Sequence, residues 1–184
     1  MNYLPSREVL DTLIKKWGSE PSTTCKPRSD HYNRVMRILY GTYPEYNKWL
    51  ENPYMKKQME MNLGNFIQDY IGNLKNHYNY GTGHETGLDG CNTNDAGLFI
   101  QYEMKIDDHT TNSSSLKKSI EKLQENAKKY GSVPLLIQFF RVRKVSDACK
   151  FKEYLISGDE YLNKYVSSEI GGIEGLISHM EMMR

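Results

Sequence analysis

The first fifty residues carry apolar positions at helical spacing, separated by a polar loop. The pattern predicts two helices, with Gly18 and Gly41 as their ends. The apolar positions are Val9, Leu10, Leu13 and Ile14 in the first helix and Val35, Ile38 and Leu39 in the second. The loop between them, 19–28, is either a connector or an element that contacts DNA through Lys26 and Arg28.

A longer apolar stripe follows Asn52 and Pro53, a pair typical of a helix start with a capping side chain and a proline that needs no donor. The stripe predicts one helix that continues to about Leu74 and packs against a core. Gly64 lies inside this helix at a cost in helix propensity, which indicates the close approach of another backbone element.

Strict alternation of apolar and polar residues begins at Leu98 and predicts a strand to Ile106 with two different faces. One face consists of Leu98, Ile100, Tyr102, Met104 and Ile106. The other consists of Phe99, Gln101, Glu103 and Lys105. The apolar face is expected to cover a core, and the second face carries the charges.

A polar segment then precedes an amphipathic helix that starts at a capping Ser114 or Ser115 and stops at Gly131. Val133–Val142 follows as a buried strand, so the unit is strand, helix, strand, which implies a parallel pair with a right-handed crossover. From Ser146 onward the pattern predicts two or three short helices. The expected fold class is α/β of the mixed α+β kind, a small mixed sheet flanked by helices with helical N- and C-terminal parts.

Length and composition fit one domain, because 184 residues bury one core but not two comfortable ones. We expect the core of this domain over about 53–145, with helical elaborations over 1–50 and 146–184. No apolar run approaches the length that a bilayer needs, and no export signal is evident, so a cytoplasmic protein without a membrane segment is expected. The three cysteines are widely spaced without a CxxC, which indicates neither a disulfide framework nor structural zinc.

The residues with the clearest chemistry are a glycine-flanked Asp89 and the pair Glu103 and Lys105, two positions apart in the predicted strand. Strand alternation places the pair on one face, and an aspartate at the end of an adjoining hairpin strand can reach the same spot. Two carboxylates suit Mg²⁺, and a lysine beside them can orient water or stabilise charge on a phosphate. Taken alone, an ExK strand is more often a surface ion pair, but a buried strand is an unfavourable place for charges without a function.

This arrangement resembles the PD-(D/E)xK nuclease superfamily and, within it, the type II restriction endonucleases. The resemblance covers mainly Glu60–Val142. Its elements, in order, are the helix segment 61–68, Asp89, Glu103-Met104-Lys105 and the Thr/Asn/Ser-rich stretch 107–115. The combination implies a restriction-endonuclease-like core.

The resemblance also implies the roles of the site residues. Asp89 and Glu103 are expected to bind Mg²⁺, and the Met104 carbonyl is expected to add a ligand. Lys105 is expected to assist the attacking water. One position departs from the pattern, because Leu88 stands where the motif has proline.

A residue on the preceding helix completes the site in this family. Gln68 matches the family's helix glutamine or glutamate best, and Glu60 and Asp69 are rivals.

Seven further residues are candidate DNA contacts, namely Asn112, Ser113, Ser114, Ser115, Arg141, Arg143 and Lys144. The first four lie at a helix start, whose backbone donors attract phosphates, although an ordinary helix cap explains the serines equally well. The basic three lie at a strand end, where they contact the DNA backbone or read guanine, or are simply solvated. A formal net charge of +1 gives no global electrostatic case for DNA binding, so any basic surface is local.

The resemblance therefore implies a Mg²⁺-dependent type II restriction endonuclease that cleaves a short sequence in double-stranded DNA. Such an enzyme is expected to be a homodimer, since two sites must meet two strands, and to have a companion DNA methyltransferase that acts on the same site. Two alternatives stay open. One is a structure-specific repair or recombination nuclease, a resolvase or exonuclease; the other is a non-catalytic DNA-binding module whose three charged residues form a structural ion-pair cluster.

Overall fold

A five-stranded sheet with helices on both faces organises the part of the chain that the computed structural model describes. The described residues are 3–18, 30–49, 51–107, 113–141 and 151–184, with the backbone alone at 53, 56, 107 and 113. The α-helices within them are α1 Arg7–Trp17, α2 Asp30–Tyr40, α3 Tyr46–Trp49, α4 Pro53–Gly72, α5 Ser113–Tyr130, α6 Gly158–Tyr161 and α7 Gly172–Met182. The strands are β1 His77–Asn79, β2 Gly90–Thr93, β3 Phe99–Asp107, β4 Val133–Arg141 and β5 Leu155–Ser157.

The sheet is mixed and open, with its strands in chain order from β1 to β5. β1, β2 and β3 pair antiparallel, whereas β3, β4 and β5 pair parallel. The crossover from β3 to β4 contains α5, so the predicted strand, helix, strand unit with a parallel pair is confirmed. The carboxyl ends of β3 and β4 lie together at one edge of the sheet, where Asp107 pairs with Arg141. The mixed α/β class expected from the sequence is therefore correct.

The two faces of β3 bury different kinds of residue. Its even-numbered positions from Ile100 to Ile106 join the main core with α4 and the terminal helices, as the alternation predicts. On the other face α5 covers the sheet through a second apolar cluster of Leu88, Leu116, Ile120, Leu123 and Leu136. Leu98 is an exception to the prediction, because it precedes the strand and is exposed. Gln101 and Glu103 are buried beneath α5.

The predicted helix ends hold at two glycines and need correction elsewhere. The amide of Gly18 donates to the Ile14 carbonyl and that of Gly41 to the Arg37 carbonyl, as expected of helix ends. Asn52 occupies the N-cap of α4, but its side chain makes no capping hydrogen bond. α5 begins at Ser113, so Ser114 and Ser115 lie inside its first turn and are not its caps.

Glycine packing on α4 differs from the expectation. The nearest atom to a Cβ built at Gly64 would be Ile106 Cδ1 at 3.3 Å, which is a side chain and not a backbone element. The close approach occurs instead at Gly72, where a Cβ would lie 2.6 Å from Asn79 Cβ and 3.2 Å from its backbone nitrogen. Gly72 therefore allows β1 to lie against the end of α4.

Two strands were not predicted because they are short. β1 and β5 have three residues each, too few for alternation to be visible. β5 extends the sheet past residue 145, within a region expected to be helical, and its Ile156 is buried in the main core. None of the described helices is both long and apolar enough to cross a membrane.

Candidate active site

Asp89 lies immediately before β2, at the end of the region where β2 pairs with β3. Its amide donates to the Tyr102 carbonyl and its carbonyl accepts from the Tyr80 amide. Gly90 pairs with the same Tyr102, so Asp89 and Gly90 both face one residue of β3, as in a β-bulge. The charge of Glu103 acts on the pKa of Asp89, so the two carboxylates lie within electrostatic reach of each other.

The Asp89 carboxylate also accepts a hydrogen bond from a backbone amide of β3 that has no partner in β2. The backbone nitrogen of Met104 extends beyond the start of β2 and donates to Asp89 Oδ2 over 2.7 Å. In a β-strand the N–H and C=O of one residue leave on the same side, so the Met104 carbonyl leaves β3 on the side where Asp89 lies.

Glu103 is a buried carboxylate surrounded by donors. Its side chain is 7% exposed, and Oε1 lies 2.7 Å from Lys105 Nζ. Ser119 Oγ on α5 donates to the same oxygen over 2.7 Å. The other oxygen, Oε2, lies 2.7 Å from Lys122 Nζ, also on α5. That second contact is an ion pair, since Oε2 has no hydrogen bond of regular geometry to any described residue.

The two carboxylates have opposite electrostatic environments. Burial raises the pKa of Asp89, and the donation from Met104 and the charge of Lys105 only partly oppose it. Burial also acts to raise the pKa of Glu103, but the two lysines and Ser119 outweigh it and hold that pKa below its usual value. Glu103 is therefore the carboxylate that stays ionised most readily.

The loop before Asp89 is fastened to α5. The Asn126 side chain donates to the Thr86 carbonyl over 3.1 Å, and Lys122 Nζ donates to the Gly87 carbonyl. Gly87 has φ +61°, a left-handed conformation that favours glycine. Leu88, which departs from the family motif, is buried in the apolar cluster under α5. The residue in the place of the proline therefore holds the loop by packing.

Sequence reasoning missed the residues that α5 contributes. Ser119, Lys122 and Asn126 lie three or four positions apart, which is the spacing of one helical face, and all three contact the loop or Glu103. These three residues form a polar stripe beside the apolar one, and this pattern in the sequence could have identified them. Gln138 was also missed; it is fully buried in β4 at the position paired with Lys105.

A polar cavity of about 230 Å³ opens on the other side of Asp89. Its lining comes from the end of α1, the middle of α4, and β1 with its following loop, and includes Lys16, Trp17, Asn65, Gln68, Asp69, Asn79 and Asp89. Of the described residues that line it, Asp89 alone belongs to the group of Asp89, Glu103 and Lys105. The cavity brings Gln68 and Asp89 together.

The three candidates for the helix partner occupy different places. Gln68 faces the cavity with Asp89. Asp69 also lines it, but Lys16 Nζ at 2.6 Å, Trp17 Nε1 at 2.8 Å and Asn79 Nδ2 at 2.7 Å already donate to its carboxylate. Glu60 lies eight residues before Gln68, about 12 Å nearer the start of α4. Gln68 and Asp69 therefore both line the cavity with Asp89, and the carboxylate of Asp69 already has three donors.

The residues around Asp89 and Glu103 fit magnesium better than zinc. Within the described ranges, no group of three or more His, Cys, Asp and Glu side chains is arranged to hold a metal ion. Two carboxylates and a backbone carbonyl, completed by water and phosphate oxygens, are nevertheless a ligand set typical of Mg²⁺. Glu103 Oε2, buried and without a regular hydrogen bond, is an oxygen that such a cation would satisfy.

The candidate DNA contacts are described only in part. Ser114 is exposed and Ser115 is half-buried in the first turn of α5, and Arg141 is exposed at the end of β4. Ser113 is described by its backbone alone. Asn112, Arg143 and Lys144 lie outside the described residues, as do Lys26 and Arg28. The described three lie at the edge of the sheet where β3 and β4 end.

Compared with known proteins, the chain matches no family model and none of the curated sequences.

Proposed function

We propose that the chain is a Mg²⁺-dependent endonuclease that hydrolyses phosphodiester bonds of double-stranded DNA, of the type II restriction class. The observation that carries the proposal is the hydrogen bond from the Met104 backbone to the Asp89 carboxylate, with the charges of Glu103 and Lys105 close enough to act on that carboxylate. Lys105 stands beside them, bound to Glu103 and 28% exposed, so its ammonium is accessible to a substrate.

The chemistry of this proposal assigns a task to each residue. Asp89, Glu103 and the Met104 carbonyl would hold Mg²⁺, which supplies charge neutralisation at the phosphate and a more acidic bound water. Lys105 would orient the attacking water and stabilise the negative charge that develops on the phosphate. Gln68, at the cavity wall next to Asp89, would position the substrate strand.

Two copies are required to cut both strands of a palindromic site. A homodimer with one such site in each subunit would meet the two strands across a twofold axis. Sedimentation of the protein with and without a cleavable duplex would test this part separately. A methyltransferase that modifies the same DNA sequence would be the companion of such an enzyme.

Incubation of the purified protein with phage-sized duplex DNA, with and without Mg²⁺, tests the proposal. We expect discrete fragments that depend on Mg²⁺ and disappear in the variants Asp89→Asn and Lys105→Met. The matched control is Glu125→Gln, which changes an exposed carboxylate on α5 and should cut like the wild type. The two site variants are expected to lose at least about 100-fold in cleavage rate.

The pattern of products separates the nuclease classes. Discrete bands indicate sequence recognition, whereas smears or nicks at branched junctions indicate an exonuclease or a resolvase with the same site. Intact DNA on linear and branched substrates alike, with a folded protein, would contradict any nuclease.

One observation favours a second candidate, a non-catalytic module. Both oxygens of Glu103 already lie 2.7 Å from a lysine nitrogen, which is what a structural ion-pair cluster requires. This candidate predicts that the protein binds neither Mg²⁺ nor Mn²⁺. A calorimetric titration with Mn²⁺ therefore distinguishes it from the nuclease.

A further inference from the structure

The two oxygens of Glu103 are held in different ways. Oε1 has two partners, the Lys105 ammonium as an ion pair and the Ser119 hydroxyl as a hydrogen-bond donor. Oε2 is buried and faces Lys122 Nζ at 2.7 Å, without a regular hydrogen bond to any residue in the described part of the chain. Oε2 therefore has one partner where Oε1 has two, so Oε2 is the oxygen with room for a different partner.

Lys122 has a second anchor that does not depend on Glu103. Its Nζ also donates to the carbonyl of Gly87, two residues before Asp89. Its side chain is 35% exposed, so the ammonium can turn toward solvent while the aliphatic stem stays in contact with the loop at Gly87. Loss of the ion pair with Glu103 would leave Lys122 bound and hydrated.

We expect a divalent cation shared by Asp89 and Glu103 to bind Oε2, because that oxygen has one partner to displace and Oε1 has two. The cation and the Lys122 ammonium then need the same position, and two positive charges a few ångströms apart repel each other. We propose that Lys122 Nζ stands in for the divalent cation at Glu103 Oε2 and is displaced when the metal binds. Lys122 is thus a positioning residue that sets the affinity of the site for its metal.

The inference rests on the proposed function, since it takes Asp89 and Glu103 as metal ligands. It predicts a change that a merely structural lysine would not cause. Removal of the ammonium removes a competitor, so Lys122→Met should bind the metal more tightly, by about tenfold. A structural lysine, once removed, would leave a loosened site and weaker binding.

The test is a calorimetric titration of Mn²⁺ into the full chain. Four variants accompany the wild type: Lys122→Met, Lys122→Arg, Lys118→Met and Glu103→Gln. We expect tighter binding in Lys122→Met, no tightening in Lys122→Arg because the charge is kept, and wild-type affinity in Lys118→Met, which changes an exposed lysine of the same helix. Glu103→Gln should abolish binding.

Thermal melts with and without Mn²⁺ accompany the titration. Lys122→Met should melt below the wild type without metal, because Glu103 loses a counter-charge, and should gain more from added Mn²⁺. Unchanged or weaker Mn²⁺ binding by a folded Lys122→Met would overturn the inference, as would tightening in Lys122→Arg.

The outcomes also separate this inference from the proposed function. If the wild type binds Mn²⁺, Glu103→Gln does not, and Lys122→Met is unchanged, the inference fails and the metal site stands. If Lys122→Met binds more tightly but no duplex is cut, the inference stands and the nuclease proposal fails. Absence of Mn²⁺ binding by every variant overturns both.

Discussion

Asp89 and Glu103 are two neighbouring carboxylates whose surroundings shift their pKa values in opposite directions. Asp89 is raised in pKa by burial and has one defined partner, the Met104 amide, which an amide oxygen would satisfy equally well. Glu103 forms ion pairs with two lysines, which lower its pKa and keep it charged. Removal of the charge should therefore have different effects on the stability of the protein at the two positions.

Asp89→Asn should fold normally. The new amide oxygen can accept the Met104 hydrogen bond, and a partly desolvated charge is lost, so the free energy of unfolding should change by less than about 1 kcal/mol. Urea denaturation measures this change. A large loss of stability would show that the Asp89 charge has a structural function.

Glu103→Gln should be less stable than the wild type, by about 2 kcal/mol. Lys105 and Lys122 would lose their common counter-charge, and the cost stays below that of a fully buried pair because both lysines reach solvent. The same urea experiment compares it with Asp89→Asn. Equal stabilities of the two variants would contradict the difference in environment.

At the scale of elements, α4 and β1 show that the sequence pattern predicts the extent of a helix but not which residues pack against it. The length of α4 follows from its apolar stripe, and the predicted end near residue 74 lies two residues beyond the observed one. The partner of each glycine on it is not visible in the sequence. Gly64 meets a flexible side-chain tip of Ile106, whereas Gly72 meets the Cβ and backbone of Asn79.

The two glycines should respond differently to alanine. Gly64→Ala should be neutral within about 1 kcal/mol, because Ile106 can shift and helix propensity improves. Gly72→Ala should lower the free energy of unfolding by about 1–3 kcal/mol, because a Cβ at 2.6 Å forces the strand away. Chemical denaturation of the pair measures both, and a tolerated Gly72→Ala would show that β1 can move.

Gly72→Ala should also disturb the cavity. Asn79 donates to Asp69, and a displaced β1 would break this bond and move Asn79 away from the other residues that line the cavity. Fluorescence of Trp17, whose Nε1 donates to the same carboxylate, reports on it. A Trp49→Phe background removes the other tryptophan, and an unchanged Trp17 signal there would contradict the coupling.

At the scale of the whole molecule, the sheet joins distant parts of the chain around buried polar groups. His77 on β1 lies 2.9 Å from the hydroxyl of Tyr161 on α6, and its ring packs edge-on against the same tyrosine. Elsewhere, Arg34 on α2 pairs with Glu174 and Glu181 on α7. Those pairs hold the pKa of each glutamate below its usual value.

Acid should destabilise the protein in two separate pH ranges. Burial lowers the pKa of His77 from 6.5 to about 4, so its contribution is complete above pH 6.5 and is lost as the pH falls toward about 4. The full shift corresponds to roughly 3 kcal/mol. The glutamate pairs of Arg34 contribute above the usual glutamate pKa and are lost at lower pH.

Urea denaturation between pH 7.5 and 4 tests this, with His77→Gln as the comparison. The variant should lose less stability than the wild type between pH 6.5 and about 4, because glutamine takes up no proton at the position of the buried histidine. Parallel curves for the two proteins would contradict a lowered pKa of His77.

Local pattern determined the elements with long and regular sequences. The alternation over β3, the stripe on α4 and the strand, helix, strand order of β3, α5 and β4 were all visible, because side-chain direction repeats with a fixed period in each kind of element. The sequence also singled out Asp89, Glu103 and Lys105 as candidate site residues. Only the tertiary structure decided which residues surround them, since Lys122, Ser119 and Gln68 reach this region from two helices packed on opposite faces of the sheet. A contact between elements far apart in the chain depends on packing and register, and neither has a period that the sequence displays.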